Sequence, residues 1–415
     1  MGFRPGLLFN RPGDQSMKNI GKSLLFLLSF VIASTLVMAK PLATGTGHLG
    51  VIIERNAGSV VIVDNIEHKI LKRVSGLGNL SHATIVYSKD ERYFYTFQRD
   101  GWINKVDILY GEVVAQVKAG DNAIGGAISQ DGKYISVSNY KPGDIKIIDS
   151  QTLEILKVIP ATYEGGTGES LQSRTVGLVD GPENQFYFAL MDAGEIWQVD
   201  AHPPEFKVVH KWKDVGDYPY DALLTGNGRY YVAGFLRSNW VVQLDLWNLE
   251  KGPQKVSTLD PNLQSPKVPM YKVPHLSGWG VTNGKAYVPM ISEERLMIYD
   301  VNDWSSQGSI KTYGTVVFAV PRPDGKEIWL TFAGPKNDTL QIYDIAKGKI
   351  TKKIKLGKGV MHVQFTPKGE AAYVSVRRKD KVFVLNTYTH ETIKELEIKG
   401  PSGIFFTNRA HVLGL

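Results

Sequence analysis

The sequence predicts an all-β fold, an eight-bladed β-propeller, from two repeating observations. First, an apolar strand ends on an acidic or amide residue eight times, at intervals of 42 to 55 residues. A repeat of roughly 40 to 50 residues with four strands per unit is typical of propeller blades. Second, several units carry a hairpin turn that contains Gly. The repeated strand-end residues are Asp64, Asp107, Asp149, Asp200, Asp245, Asp300, Asp344 and Asn386.

The hairpin turns lie between short runs of β-branched or aromatic residues. Gly supplies the positive φ that a tight turn needs, so each turn predicts a pair of antiparallel strands. One unit is then a blade of about four strands, and the repeated Asp is interpreted as a turn cap that builds the fold rather than the chemistry. The five segments that carry the signal are 129–137, 225–234, 282–290, 322–331 and 366–375.

The two ends of the repeat region predict how the ring closes. The first unit begins abruptly with strands at 50–55 and 59–64, and the chain finishes with the apolar segment 404–415. A blade shared between both ends would leave no open sheet edge. Residues 40–415 are therefore expected to form one propeller domain, and the longer connections at 160–174 and 252–278 are expected to lie over a channel mouth.

The N-terminal segment predicts an export signal over residues 1–39. Lys18 and Lys22 precede the apolar run 24–37, and Val37-Met38-Ala39 ends it with a small-residue cleavage pattern. The run is short for a membrane span, so we expect cleavage near Lys40 and a periplasmic protein. An uncleaved anchor remains the alternative.

Composition excludes several kinds of chemistry. The chain contains no Cys, so it offers no thiolate nucleophile, no cysteine-ligated cluster and no C-x-x-C-H attachment for a covalent haem. The net charge of +7 is dispersed over strands and turns, which indicates a solvated rim rather than a nucleic-acid surface. A basic surface of this kind would still attract an anionic ligand.

Four of the nine histidines fall at the start of segments interpreted as inner strands, which line the channel of a propeller. Imidazoles from different blades could converge there to bind a metal, ligate a haem iron or transfer protons. A hydrogen-bonded structural role is the alternative for each of them. The four are His48, His82, His275 and His362.

The chain resembles the haem d1 domain of cytochrome cd1 nitrite reductase. The resemblance begins with GVIIERNAGSVVIVD and NLSHATIVYSKDERYFYTFQRDGWINKVD, between Gly50 and Asp107, and continues weakly through all eight blades. A lone propeller behind a signal peptide, opening on GTGHLGVIIER and without a cytochrome c domain, is more similar to the haem d1 biosynthesis proteins of this family. The resemblance covers about nine-tenths of the chain.

The resemblance implies a non-covalent cofactor, haem d1 or an iron-containing precursor of it. His82 matches the proximal axial ligand, which makes it the one metal-ligand candidate. Arg55 and Arg99 match arginines that hold the carboxylates of the macrocycle, and Arg is suited to that role because its guanidinium binds a carboxylate with two hydrogen bonds. Arg174 and Arg322 are further candidates for binding the cofactor.

Departures from the reductase pattern shape the expected function. The two distal-pocket histidines fall near Met290 and Arg322, so neither is kept, and nitrite reduction is not expected. His48, His275 and His362 are then candidates for acid–base catalysis on a bound precursor.

Three functions are consistent with this pattern. They are an enzyme of late haem d1 biosynthesis acting oxidatively on a propionate side chain, a non-catalytic carrier, and an unrelated propeller scaffold. Expected partners are the tetrapyrrole, other haem d1 maturation proteins and nitrite reductase, with the choice between monomer and homodimer open.

Overall fold

The computed structural model describes residues 40–236, 240–257, 278–290 and 294–407. Short 3-10 turns occur at Pro182–Asn184, Leu249–Lys251, Gly334–Lys336 and Arg377–Lys379. The strands are, in chain order, β1 (Leu49–Glu54), β2 (Ser59–Asp64), β3 (Lys69–Val74), β4 (Thr84–Tyr87), β5 (Tyr93–Phe97), β6 (Trp102–Asp107), β7 (Glu112–Lys118), β8 (Asn122–Ile128), β9 (Tyr134–Lys141), β10 (Asp144–Asp149), β11 (Ile155–Pro160), β12 (Thr162–Glu164), β13 (Ser170–Gln172), β14 (Thr175–Gly181), β15 (Gln185–Leu190), β16 (Glu195–Asp200), β17 (Val208–Trp212), β18 (Pro219–Leu224), β19 (Tyr230–Phe235), β20 (Trp240–Asp245), β21 (Gln254–Ser257), β22 (Gly280–Thr282), β23 (Lys285–Met290), β24 (Arg295–Asp300), β25 (Ser306–Lys311), β26 (Val316–Pro321), β27 (Glu327–Phe332), β28 (Thr339–Asp344), β29 (Lys349–Lys355), β30 (Val360–Phe365), β31 (Ala371–Val376), β32 (Lys381–Asn386), β33 (Thr392–Glu397) and β34 (Pro401–Phe406).

The strands form a ring of eight four-stranded antiparallel blades, which confirms the predicted propeller. Blade 1 combines β34 with β1–β3, and blades 2 to 8 are β4–β7, β8–β11, β14–β17, β18–β21, β22–β25, β26–β29 and β30–β33. First strands of neighbouring blades contact one another, for example β8 with β14 and β30 with β34, as expected for strands at the centre of the ring. We call these the inner strands; the inner strand of blade 1 is β34.

The apolar core lies between the blades. Within the described residues the buried side chains form eight clusters, and each cluster joins two neighbouring blades. The second and third strands are buried along most of their length, whereas the fourth strands are largely exposed. Because no blade has a core of its own, each depends on its two neighbours for burial.

The repeated strand-end residues cap turns, as the sequence predicted. Each ends the third strand of its blade, and its side-chain oxygen accepts hydrogen bonds from backbone N–H groups two or three residues later. In blade 1, Asp64 Oδ1 accepts from the N–H groups of Ile66 and Glu67, both at 2.9 Å. Asn386 does the same in blade 8 with Tyr388 and Thr389. These side chains are occupied in building the fold.

The alternating strand direction gives the ring two different rims. The upper rim consists of the segments that precede the inner strands and the turns between second and third strands, such as 55–58, 98–101 and 377–380. The lower rim consists of the turns between first and second strands and between third and fourth strands. All five predicted hairpin turns connect a first strand to a second strand, so they lie on the lower rim.

One of the two predicted long connections, 160–174, lies at the upper rim. Residues 160–174 join the outer strand of blade 3 to the inner strand of blade 4 and contain the added hairpin β12–β13. Most of 252–278 lies outside the described residues, as do the export-signal segment 1–39 and the last residues of 404–415. In the described part of the chain, no helix has the length and apolar character needed to cross a membrane.

The first and last described strands meet in blade 1. Strand β34 pairs antiparallel with β1, with Gly50 opposite Phe406 and Glu54 opposite Pro401. Blade 8 packs against this blade through a buried cluster that includes Ile52 and Tyr373. The last described strand, β34, and the first, β1, are therefore neighbours in one sheet, and β34 occupies the inner position of blade 1.

A buried carboxylate holds this junction together. Glu54 is fully buried, and it accepts hydrogen bonds from Ser59 Oγ at 2.6 Å, Arg73 Nε at 2.6 Å, Arg73 Nη2 at 2.9 Å and the Lys399 N–H at 3.0 Å. Burial raises the pKa of Glu54, but the bonds from Arg73, Ser59 and Lys399 outweigh it and lower the pKa below its usual value. One side chain thus connects β1, β2, β3 and the segment leading into β34.

We expect Glu54→Gln to destabilise the domain by about 3 kcal/mol, because the substitution removes the buried carboxylate and leaves the Arg73 guanidinium without its charged partner. This is the lower end of the range for breaking a buried ion pair, because the Arg73 side chain is 42% exposed to solvent. Denaturant unfolding measures the effect, with the exposed Glu67→Gln as control. Since the folded pKa of Glu54 is lowered, the wild-type advantage should be lost as the pH falls through that folded pKa. Equal stability of the two variants would contradict the role of Glu54.

Candidate functional site

The upper rim of blades 1 and 2 brings together three of the residues selected from the sequence. Arg55 follows β1 and donates its backbone N–H to Gly400 O at 3.3 Å. Arg99 follows β5 and donates its N–H to Asn79 O at 3.2 Å. His82 is exposed and lies in the turn that leads into the inner strand β4. All three side chains therefore start from the same end of the ring.

Arg55 and Arg99 have no carboxylate within ion-pair distance among the described residues. Arg73, Arg92 and Arg229 are each bound to a carboxylate of their own blade. Arg55 is half-buried, and burial lowers the pKa of its guanidinium. A half-buried charge without a counter-ion is unfavourable unless a ligand supplies one.

Arg377 is a third such arginine, which sequence analysis missed. It is half-buried on the upper rim of blade 8, directly after β31, and its Nε is enclosed without a hydrogen-bond partner. Burial lowers the pKa of Arg377, and the charge of Arg55 lowers it further. The sequence gives no sign of this pair, because the two residues lie at opposite ends of the chain and meet only when the ring closes.

Arg174 also lies on the upper rim, but it is already bound. Its guanidinium and backbone N–H bind the carboxylate of Asp192, with Nε to Oδ2 at 3.0 Å. Its Cζ lies 5.8 Å from the centre of the Tyr140 ring, and the Arg99 Cζ lies 5.4 Å from the same ring. Burial and the neighbouring Tyr220 raise the pKa of Tyr140. The rim of blades 2 to 5 thus carries an aromatic surface flanked by guanidinium groups.

The inner strands carry two residues suited to proton exchange. His362 lies on β30, is half-buried, and has its ring 5.0 Å from Phe318 on the neighbouring inner strand. Asp221 lies on β18. Both strands have an irregularity in their pairing, after which pairing resumes at Ala222 on β18 and at Val363 on β30. Asp221 and His362 are the residues directly before these two positions. The two residues therefore occupy equivalent positions in blades 5 and 8.

Asp221 has an unusual environment for a carboxyl group. Its Oδ1 accepts a hydrogen bond from the Ala222 N–H at 2.9 Å, whereas its Oδ2 is enclosed without a hydrogen-bond partner. Burial raises its pKa from 3.8 to about 7, and the backbone hydrogen bond offsets only part of that increase. A carboxyl group on an inner strand whose pKa is raised to about 7 is suited to give or accept a proton near neutral pH. No motif in the sequence distinguishes it from other Asp residues.

Two residues selected from the sequence lie at the lower rim instead. His48 was expected to begin an inner strand, but it precedes β1, which is the second strand of blade 1 because β34 takes the inner place. Its Nε2 lies 3.9 Å from Asp64 Oδ2. The expectation that His48 begins an inner strand is therefore wrong. His48 and His82 lie at opposite rims, separated by the length of a strand.

Arg322 is the second residue of this kind. It lies in the turn between β26 and β27, is 7% exposed, and binds Asp324, Glu327 and the backbone oxygen of Thr387. Its donors are occupied within the fold, so it is not placed to bind a ligand at the upper rim. His275 lies outside the described residues.

The donors of the upper rim fit an iron already held by a macrocycle better than a bare metal ion. Among the described residues, no group of three or more His, Asp or Glu side chains could hold a metal ion. The exposed imidazole of His82 is of the kind that serves as a single axial ligand, and the guanidiniums of Arg55 and Arg99 suit the carboxylates of a tetrapyrrole.

These features are those of a haem d1-type propeller, and comparison with known proteins shows that the chain belongs to the cytochrome D1 heme domain family. The family model matches residues 44–410. The chain is 42% identical over 376 residues to Protein NirF of Pseudomonas aeruginosa, covering 91% of this chain and 95% of that protein. It is 39% identical over 391 residues to Protein NirF of Stutzerimonas stutzeri, covering 94% of this chain and 99% of that protein.

A solved structure resembles the whole propeller. The dihydro-heme d1 dehydrogenase NirN in complex with DHE superposes with a TM-score of 0.75 and 25% sequence identity, covering 88% of this chain and 76% of that chain. A second solved structure, AztD of Citrobacter koseri, is similar in fold alone, with a TM-score of 0.60 and 13% identity over 86% of this chain and 96% of that chain. The predicted family is confirmed.

We expect Asp221→Asn to stabilise the protein at pH 8 and to have little effect near pH 4. The folded carboxyl has a pKa of about 7 against an ordinary value of 3.8, so the folded protein holds a proton that the unfolded chain releases between these values. Stability of the wild type should then fall as the pH rises through this window. At about 1.4 kcal/mol per pKa unit the gain is at most on the order of 4 kcal/mol.

Denaturant unfolding at a series of pH values measures this dependence, with Asp121→Asn at an exposed carboxylate as control. A difference between wild type and Asp221→Asn that does not change with pH would contradict the environment described for Asp221.

Proposed function

We propose that this protein binds a d1-type tetrapyrrole non-covalently at the upper rim and takes part in haem d1 biosynthesis by modifying a side chain of a late precursor. One observation carries the proposal. The upper rim of blades 8, 1 and 2 presents three half-buried guanidiniums that have no carboxylate partner among the described residues, next to the exposed imidazole of His82. The three arginines are Arg55, Arg99 and Arg377.

The charge of this rim suits a carboxylated macrocycle. A guanidinium forms two parallel hydrogen bonds with a carboxylate, and such charge-assisted bonds are strong where water is partly excluded. The ring of Tyr140 lies beside the guanidiniums of Arg99 and Arg174, so aromatic and cationic groups occur together at this rim, as a flat anionic ligand requires. The related NirN structure was determined in complex with DHE, which supports a ligand of the same chemical class here.

His82 is the residue proposed to ligate the iron of the bound tetrapyrrole. Its exposure in the turn before β4 leaves the ring accessible from the rim. Haem iron supplies a coordination position that an imidazole can occupy. The chain contains no Cys, so the macrocycle would be held by ligation, ion pairs and stacking rather than by thioether bonds.

An enzymatic role is favoured over pure carriage by Asp221. A carboxyl whose pKa is raised to about 7 by burial costs stability, and such a cost is more readily explained by proton exchange than by holding a ligand.

The separation of His48 from the upper rim favours the alternative, a carrier that hands over the tetrapyrrole. Product analysis after incubation with the precursor distinguishes them, because a carrier returns the precursor unchanged.

The setting proposed for this activity is the periplasm, after export directed by residues 1–39. Maturation proteins of haem d1 and nitrite reductase are the proposed partners, because a hydrophobic, reactive macrocycle is best passed directly between proteins. Both parts of the proposal rest on the sequence pattern and on family membership.

We expect His82→Ala to change the visible absorption spectrum of bound haem d1, because losing an axial imidazole alters the ligand field of the iron. Absorption spectra of the purified protein mixed with haem d1 measure this. The matched control is His202→Ala, which removes an exposed imidazole at the lower rim. A spectrum and an affinity equal to those of the wild type would show that His82 is not the ligand.

We expect Arg99→Ala to weaken binding of haem d1 about tenfold or more. A hydrogen bond to a charged group contributes about 1.5–3 kcal/mol, and 1.4 kcal/mol corresponds to a factor of ten in affinity. Spectroscopic titration measures the dissociation constant, with Arg92→Ala as control because Arg92 is bound to Asp107 in the same blade. Unchanged affinity would exclude Arg99 from the carboxylate site.

A further inference from the structure

The closing point of the ring carries a paired cationic site. Arg55 stands in the turn after β1, on the N-terminal side of the junction, and Arg377 stands in the turn after β31, on the C-terminal side. Hydrogen bonds of Gly400 join the two turns, and burial, followed by the charge of Arg55, lowers the pKa of Arg377. Two like charges in a partly buried setting repel each other, and nothing in the described chain neutralises either of them.

One residue fixes the two turns relative to each other. Gly400 accepts a hydrogen bond from the Arg55 N–H at 3.3 Å and donates its own N–H to Asp380 Oδ1 at 2.7 Å. Asp380 ends the turn that Arg377 begins. Gly400 adopts a φ of +52°, and an added Cβ would lie 3.1 Å from the Asn56 side chain. The backbone therefore holds both arginines at the start of the closing strand β34.

Arg377 is also fixed from the side of blade 8. Its N–H donates to Gly359 O at 3.0 Å. Gly359 has a φ of +90°, and an added Cβ there would lie 3.2 Å from the Cβ of Arg377. These contacts fix the backbone from which the Arg377 side chain starts, and its enclosed Nε has no hydrogen-bond partner, so the guanidinium can still take an acceptor.

We propose that Arg55 and Arg377 form a carboxylate clamp across the ring closure, so that binding of an anionic ligand ties the N-terminal strands to blade 8 and stabilises the closed ring. The site suits a carboxylate, because each of its two oxygens can accept hydrogen bonds from one of the two guanidiniums. The proposal rests on the proposed function in that the natural carboxylate would belong to the tetrapyrrole. It adds that ligand binding and ring closure are thermodynamically linked.

The linkage predicts opposite effects of one substitution on the free and the bound protein. Arg377→Met removes the repelling charge at similar volume, so the ligand-free protein should unfold at a higher temperature than the wild type. The same change should weaken the binding of uroporphyrin, a carboxylated porphyrin, about tenfold or more. Arg378→Met is the matched control, because Arg378 is the adjacent residue and is exposed. It should change neither property appreciably.

The test uses the whole domain and two probes, citrate as a small polycarboxylate and uroporphyrin as the macrocycle. Thermal unfolding and hydrogen exchange of β1 and β34 are measured with and without each probe. The proposal requires that citrate stabilises the wild type and protects both strands, and that Arg377→Met removes that response. A citrate response equal to that of the wild type in Arg377→Met would overturn the proposal.

The two probes separate this proposal from the proposed function. If citrate acts through Arg377 but uroporphyrin and haem d1 do not bind, the clamp stands and the tetrapyrrole function fails. If the macrocycles bind the wild type and Arg377→Met equally and citrate has no effect on either, the function stands and the clamp fails.

Discussion

Closure of the ring is the constraint on which the rest of this structure depends. Each blade buries its apolar surface only against its two neighbours, so a ring with one open junction would expose two such surfaces. The chain meets this requirement by placing its last strand, β34, inside its first blade. The fully buried Glu54 connects three strands from the N-terminal side to the backbone that leads into β34.

The same closure determines where function can be located. Turn caps occupy the lower rim, where Asp64 and its equivalents already accept backbone hydrogen bonds. At the upper rim the closing strand brings Arg55 and Arg377 together from distant parts of the sequence, and Arg99 follows in the next blade. A surface of half-buried guanidiniums without a carboxylate partner in the described chain is unfavourable for stability alone. Binding of a carboxylated ligand gives a reason for its presence.

The periodicity of the strand ends and of the Gly-containing turns predicted the fold because both depend on local backbone geometry. The site was harder to predict. His48 was placed on an inner strand because GVIIER begins the repeat, but the closing strand displaces that segment outward by one position. Arg322 was a candidate because the resemblance places it near a distal-pocket histidine, whereas in the fold its donors are bound to Asp324, Glu327 and a backbone oxygen. Arg377 and Asp221 depend on contacts between blades, which no local pattern reveals.

The central claim is that a tetrapyrrole binds at the upper rim, and a crystal structure of the protein with haem d1 tests it most directly. The account predicts that the carboxylates of the macrocycle lie on the guanidiniums of Arg55, Arg99 and Arg377 and that His82 reaches the iron. A macrocycle bound at the lower rim, or bound at the upper rim without contact to these arginines, would contradict it.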